Sequence, residues 1–302
     1  MAKRWYGRDS GLTARMGLTM FLLGLVYVVF MGVIIAMGAG TVIVVVIAAI
    51  VMLVQLFFSD RLALASMHAR RVTPEQQPEL HAMIDRLCQL SDLPKPTVAV
   101  ADTDMPNAFA TGRGRKTATV CVTTGIMRDL EPHELEGVLA HELSHIANRD
   151  VVVMTVASFL ATVAGLLIRM SAYGRVGRGG RDNAAAAFFV VLLVSIATYV
   201  VSYLLLRALS RYREFAADRG AAIMTGAPAN LASALMKISG DMSRIPTKDL
   251  REAEGMNAFF IMPAVAKGFS LSTLFSTHPP VEKRVERLMA MQADIDAGPV
   301  AS

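Results

Sequence analysis

From Met16 to Ser59 the chain carries no charged residue. A run of that length and apolarity suits a bilayer better than the core of a soluble domain. Gly38-Ala39-Gly40-Thr41 divides it into two pieces, Gly17–Met37 and Thr41–Phe58. Each can cross a hydrocarbon core ~30 Å thick, with some local thinning for the shorter. The pair reads as a transmembrane hairpin. A cleaved signal peptide is the competing reading for the first piece. It is disfavoured because the run is too long and no cleavage-like segment precedes the second piece. Two more uncharged runs follow, Val151–Ile168 and Asn183–Leu206. Composition agrees with a membrane chain: 54% hydrophobic residues, 18% charged and a mean hydropathy of +0.46.

Charge placement orients these spans. Lys3, Arg4, Arg8 and Arg15 precede the first hairpin, and Arg61, Arg70 and Arg71 follow it. Basic flanks stay in the cytoplasm, so the polar part after the hairpin is expected there too. The linker 169–182, with Arg169, Arg175, Arg178 and Arg181, then falls on the outer side, against the same rule. The expectation is that the first hairpin sets orientation and the second pair still crosses, the alternative being a pair embedded without fully crossing. The net charge of +5 is absorbed by these flanks. No basic stripe interleaved with aromatics marks a nucleic-acid surface. Cys88 and Cys121 form no CxxC pattern, which indicates a reduced compartment without a disulfide framework.

The polar part is mixed α and β. Residues 74–91 predict a helix whose apolar stripe is Leu80, Met83, Ile84, Leu87 and Cys88, with His81 off the stripe and solvated. Thr97–Ala101, Asn107–Thr111 and Ala118–Thr124 read as strands. The turn Gly112-Arg113-Gly114-Arg115-Lys116 joins the last two as a hairpin. Asn107, Ala108 and Phe109 stand on a strand edge that either binds an extended peptide by strand addition or is plain structure.

Glu131-Pro132 starts a strongly helical stretch, with Glu134 in its first turn and His133 on its surface. Within it lies His141-Glu142-Leu143-Ser144-His145. Histidines four apart share one helix face, so their ring nitrogens can take two corners of a zinc tetrahedron. Glu142, one step round, reaches a metal-bound water as general base without being a ligand. No proline or glycine ends this helix before Val151, and Asn148 lies on the same face as His141, within reach of the ligands' surroundings.

A catalytic zinc site needs three protein ligands and an open position. Glu214, in Ser210–Asp218, is the candidate third ligand, and Asp218 is placed to accept a hydrogen bond from the far nitrogen of a zinc histidine. If the helices continue unbroken from the second hydrophobic pair, a rise of ~1.5 Å per residue brings both ligand sets to about 9–15 Å from the membrane face. The alternative for Glu214 and Asp218 is a solvated pair of carboxylates beside arginines.

With these features in view, the sequence resembles the HtpX-type membrane zinc metalloproteases. That group is related to the CaaX prenyl proteases and to soluble zinc peptidases with two histidines and a glutamate as ligands. The resemblance rests on the paired N-terminal spans, Asn107–Gly112, the HELSH segment with Asn148 and Asp150, Arg211–Asp218, and Thr277-His278-Pro279-Pro280 with Arg284. It implies His141, His145 and Glu214 as ligands of one zinc ion and Glu142 as the catalytic residue. For His278 it implies an oxyanion role, against which a helix-capping role remains open. It also implies polypeptide substrates, misfolded or damaged membrane proteins, in the bacterial inner membrane.

The expected architecture is an α-rich integral membrane protein. About four transmembrane helices accompany a cytoplasmic α+β domain of the zincin-like (gluzincin) kind with a small β-sheet. Residues 1–59 form the first hairpin region and 60–150 the protease part with HExxH. Residues 151–206 form the second hairpin, and 207–302 the part with the third ligand. Oligomeric state is not legible, and 239–276 carries no motif beyond a possible gate. Two rivals stand beside this reading. A non-catalytic zinc-binding adaptor would be expected to have lost one of the four site residues. A prenyl-protein processor would need a larger intramembrane chamber than four apolar segments enclose.

Overall fold

The structure is a computed structural model that describes residues 10–36, 41–173, 182–242 and 278–298. Helix α1 (Ser10–Ala36) and helix α2 (Thr41–Ser66) follow the first charge-free run and its Gly-rich break. Further along, α6 (Asp150–Tyr173) and α7 (Asp182–Thr225) contain the second pair of runs. These helices pack as a bundle: α6 and α1 lie along α7, and α2 lies along α6. Their outer faces remain apolar, with Phe21, Val28 and Leu193 each more than half exposed. Helices that are apolar all round belong in hydrocarbon.

The expected count of four spans is met in part. Among the described residues, two helices are long and apolar enough to cross a membrane, Ser10–Val33 and Phe189–Thr225. The count rises to three if the bent pair Pro132–Asn148 and Asp150–Gly165 forms one span.

The polar domain is built on a four-stranded mixed sheet of order β1-β2-β4-β3, where β1 is Arg70–Arg71, β2 Thr97–Ala101, β3 Ala108–Thr111 and β4 Thr119–Thr123. Strands β2 and β4 are parallel, with Ala99 opposite Cys121. β3 and β4 form the antiparallel hairpin expected from the Gly-Arg turn, with Phe109 opposite Cys121. Strand β3 is therefore an edge.

One face of the sheet carries Val98, Val100, Ala108, Val120 and Val122 into the main core. There they meet helix α3 (Pro78–Ser91), helix α5 (Pro132–Asn148) and helix α8 (Pro228–Met242). The other face packs Ala99, Ala101, Phe109 and Cys121 on Ala63 of α2. The short helix α4 (Thr124–Asp129) links β4 to α5, and α9 (Val281–Asp296) closes the domain against α7 and α8.

Two expectations need correction. His81 is not solvated: it is 7% exposed, and its Nε2 lies 3.1 Å from the Val72 carbonyl oxygen, because the segment after β1 folds over α3. The HExxH helix does not run on into the next apolar run. It ends at Asn148, Arg149 takes the left-handed conformation (φ 57°, ψ 38°), and α6 leaves at a 59° bend. Neither glycine nor proline signals this stop; Arg115, from the β3–β4 turn, instead donates to the Ala147 carbonyl at 2.6 Å. The divisions expected at 59/60 and 206/207 fall inside the continuous helices α2 and α7. Most of the stretch 239–276 lies outside the described residues.

Candidate metal centre

Helix α5 begins with Pro132 in its first turn and a reciprocal cap between Glu131 and Glu134. Glu134 is also buried. Its carboxylate accepts from Ser233 at 2.6 Å and Lys237 at 2.7 Å on α8, so the cap pins α5 to α8. On the other side α5 lies against α7 closely enough that a Cβ on Gly220 would stand 2.8 Å from Ser144 Cβ. That close approach puts Glu214 and Asp218 of α7 beside His141 and His145 of α5.

The nitrogens and oxygens of His141, His145 and Glu214 converge within 4.8 Å of one another. His145 Nε2 is 3.1 Å from His141 Nε2 and 3.4 Å from Glu214 Oε1, and His141 Nε2 is 3.7 Å from Glu214 Oε2. Behind each ring stands a carboxylate. His141 Nδ1 lies 3.0 Å from Asp218 Oδ1, and His145 Nδ1 lies 2.5 Å from Asp150 Oδ2. An ionised carboxylate only accepts, so each Nδ1 carries the proton and each Nε2 turns a lone pair inward.

The centre therefore collects two imidazole lone pairs and a buried carboxylate, that of Glu214. Such a group of acceptors fits a cation. Without one, a proton takes that place. Burial works to lower the His145 pKa, but hydrogen bonds to Asp150 and Glu214 override it and push the ring up to about 10. His141 is raised as well, burial being outweighed by Asp218 and Glu214.

Glu142 is 4% exposed and points beside this cluster. Burial raises its pKa, tempered by the two histidines and by the Ala110 backbone N–H donating to its carboxylate. A carboxylate raised toward neutrality suits proton transfer.

The structure brings together most of the remaining residues singled out in the sequence. His278 Nδ1 stands 3.0 Å from Glu214 Oε2. It does not cap the last helix, whose N-cap is Pro280 with no side-chain bond. Asn148 is exposed at the end of α5, and Asp150 supplies the carboxylate behind His145 instead. The bend at Arg149 swings Asp150 back toward the ring, and Asp150 Oδ1 also meets Arg213 Nε at 2.9 Å.

Arg284 was visible only as part of the family resemblance. It is fully buried, holds Asp218 through Nε at 2.9 Å and Nη2 at 2.6 Å, and lies 3.3 Å from Glu214. A fully buried arginine near two acidic positions is interpretable only once the helices are packed.

The edge strand keeps its side chains in the protein interior. Ala108 and Phe109 bury their side chains in opposite cores, and Asn107 is buried with its backbone exchanged with Thr123. Since the Asn107 carbonyl accepts from Thr123 N–H, alternation along the strand turns the backbone groups of Ala108 and Ala110 away from β4. Backbone, not side chains, is what this edge offers.

A model of "Peptidase family M48" matches residues 74–292. Protease HtpX homolog 1 of Streptomyces coelicolor is 54% identical over 292 residues, covering 96% of both chains. Protease HtpX homolog 2 of Methanosarcina mazei is 53% identical over 294 residues, covering 97% of this chain and 99% of its own. The crystal structure of S. mikatae Ste24p superposes with a TM-score of 0.54 at 16% identity, over 93% of this chain and 67% of that one, a likeness of fold. With the His-His-Glu cluster and the apolar bundle, these matches establish that the chain belongs to peptidase family M48 and is a membrane metalloprotease of the HtpX type.

Proposed function

We propose that the protein is a zinc endopeptidase holding one zinc ion through His141, His145 and Glu214, with Glu142 as its general base. The observation that carries this reading is the inward turn of both Nε2 lone pairs, enforced by Asp218 and Asp150 behind the rings. Two nitrogens and a carboxylate are a common donor set for catalytic zinc. When bound, zinc acidifies water and polarises a carbonyl.

The protein's own groups supply the rest. Glu142 accepts the proton of the attacking water and passes it to the leaving amine nitrogen. His278, whose Nδ1 stands 3.0 Å from Glu214 Oε2, donates to the oxygen that becomes negative at the scissile carbon. Arg284 holds Asp218, which fixes the His141 tautomer. An extended substrate pairs with the outward backbone groups of Ala108 and with the Ala110 carbonyl on β3, as strand addition requires.

Substrates on this reading are unfolded or damaged membrane proteins, met where α7 emerges from the bilayer. We place the protein in the cytoplasmic membrane as a multi-pass chain. Four helices span, and the site faces the cytoplasm, as the basic flanks favour. The adaptor alternative is weakened because all four of His141, Glu142, His145 and Glu214 are present and assembled.

The test is cleavage of an unfolded substrate by detergent-purified protein, wild type against Glu142→Gln. The base is expected to contribute about 10²–10⁴-fold, so the variant should be nearly inactive. Comparable activity in the two would remove Glu142 from the chemistry.

A further inference from the structure

The β3–β4 turn sits beside the ends of two apolar helices. Its Arg113 guanidinium lies 4.5 Å from the ring centroid of Phe57. Phe57 is in α2, three residues before Asp60, the first charge after the N-terminal apolar run. Two residues along the turn, Arg115 donates to the Ala147 carbonyl through Nε at 3.1 Å and Nη2 at 2.6 Å. Ala147 is three residues before Asp150, where α6 begins. The turn is therefore tied at once to the end of α2 and to the start of α6, and both ties lie at the edge of an apolar run.

Charge is concentrated at this level. Arg113, Lys116 and Arg149 are exposed. The acidic groups at the same helix ends are turned elsewhere. Asp60 accepts from the Arg61 backbone, and Asp150 is buried against His145 and Arg213. Cations on a short turn beside the ends of two apolar helices match the charge of an anionic leaflet surface. Arg115 is committed to the end of α5, which leaves Arg113 and Lys116 as the contacts.

We propose that the β3–β4 turn is a docking site for anionic phospholipid headgroups, seated through Arg113 and Lys116. Because β3 runs from this turn past Glu142, the contact anchors the edge strand to the bilayer surface. The inference rests on α2 and α6 meeting the bilayer, and it needs no catalysis.

Gly114 offers the probe position, since a Cβ there meets nothing within 4 Å. Both native cysteines are buried, so a fluorophore can be directed to Gly114→Cys in the full chain. Reconstituted into nanodiscs, the label is quenched by headgroup nitroxides carried on phosphatidylglycerol or on phosphatidylcholine. Each cation near the surface is expected to favour the anionic lipid about fivefold. Quenching by phosphatidylglycerol should thus exceed that by phosphatidylcholine severalfold. The preference should vanish with Arg113→Gln and Lys116→Gln together, and shrink in high salt. Equal quenching by both lipids, or a preference that survives the double replacement, overturns the proposal. Absence of protease activity in the same samples would count against the proposed function and leave the lipid measurement untouched.

Discussion

Asp150 stands five residues after His145, beyond the end of its helix, yet it makes the closest contact to that ring at 2.5 Å. With Arg213 on its other oxygen, it fixes the imidazole from behind. Replacing the carboxylate with an amide keeps the shape but removes the charge that holds the Nδ1 proton. Asp150→Asn should therefore weaken zinc binding by about 10–100-fold, as losses behind metal ligands do. Chelator competition would measure this, with the melting temperature as a control for folding.

The same ring makes metal binding pH-dependent. In the metal-free protein the His145 pKa is raised to about 10, above the ordinary imidazole value. Its contribution to metal-free stability is complete below about pH 6.5 and is lost as pH climbs through about 10. Zinc must displace that proton. Affinity should rise between pH 6 and 8, and calorimetry in buffers of different ionisation enthalpy should show protons released on binding. Binding without proton release would place the metal on other ligands.

Cys121 faces the small core beneath α2, and burial pushes its thiol up to about 12. It should resist alkylation in the folded protein near neutral pH and react on unfolding, which makes thiol labelling a report of global stability.

At the level of elements, the ligand helix rests on how closely α7 approaches α5. A methyl group on Gly220 would meet Ser144, so Gly220→Ala has to push the two helices apart. Overpacking of this kind costs roughly 1–3 kcal/mol, and it should lower both the melting temperature and zinc affinity, because Glu214 and Asp218 ride on α7. Unchanged zinc affinity would mean that the site tolerates a shift of α7.

Much of this element layout was legible in the chain. Strand β2 was read to the residue, and the Gly-Arg turn marked the β3–β4 hairpin. Pro132 and Glu134 marked the start of α5. Its end was not legible, because Arg149 adopts a left-handed conformation that no glycine announced and the contact from Arg115 is distant in sequence. That hidden break explains why Asn148 looked better placed than Asp150. Arg284 and the burial of His81 escaped for a similar reason: both depend on partners brought in by packing, Asp218 across 66 residues and the Val72 carbonyl on a neighbouring segment.

Across the whole molecule, α7 joins membrane to site. Its 44 residues form one helix. At ~1.5 Å per residue that is about 66 Å, roughly twice the hydrocarbon thickness, so one end can cross while the other carries ligands. Glu214 thus sits a few turns beyond the apolar stretch that ends at Leu206. The bent connection from α5 to α6 returns the histidines to the same level by a different route, through a break instead of a continuous rod.

The most direct measurement is zinc bound per chain in detergent-purified protein after loading and desalting, for wild type, Glu142→Gln and Glu214→Ala. Three protein ligands with an open position predict about one zinc in wild type and in Glu142→Gln, and loss from Glu214→Ala. A wild type that retains no zinc, or a Glu214→Ala protein that holds it as tightly as wild type, would contradict the metal centre on which this account depends.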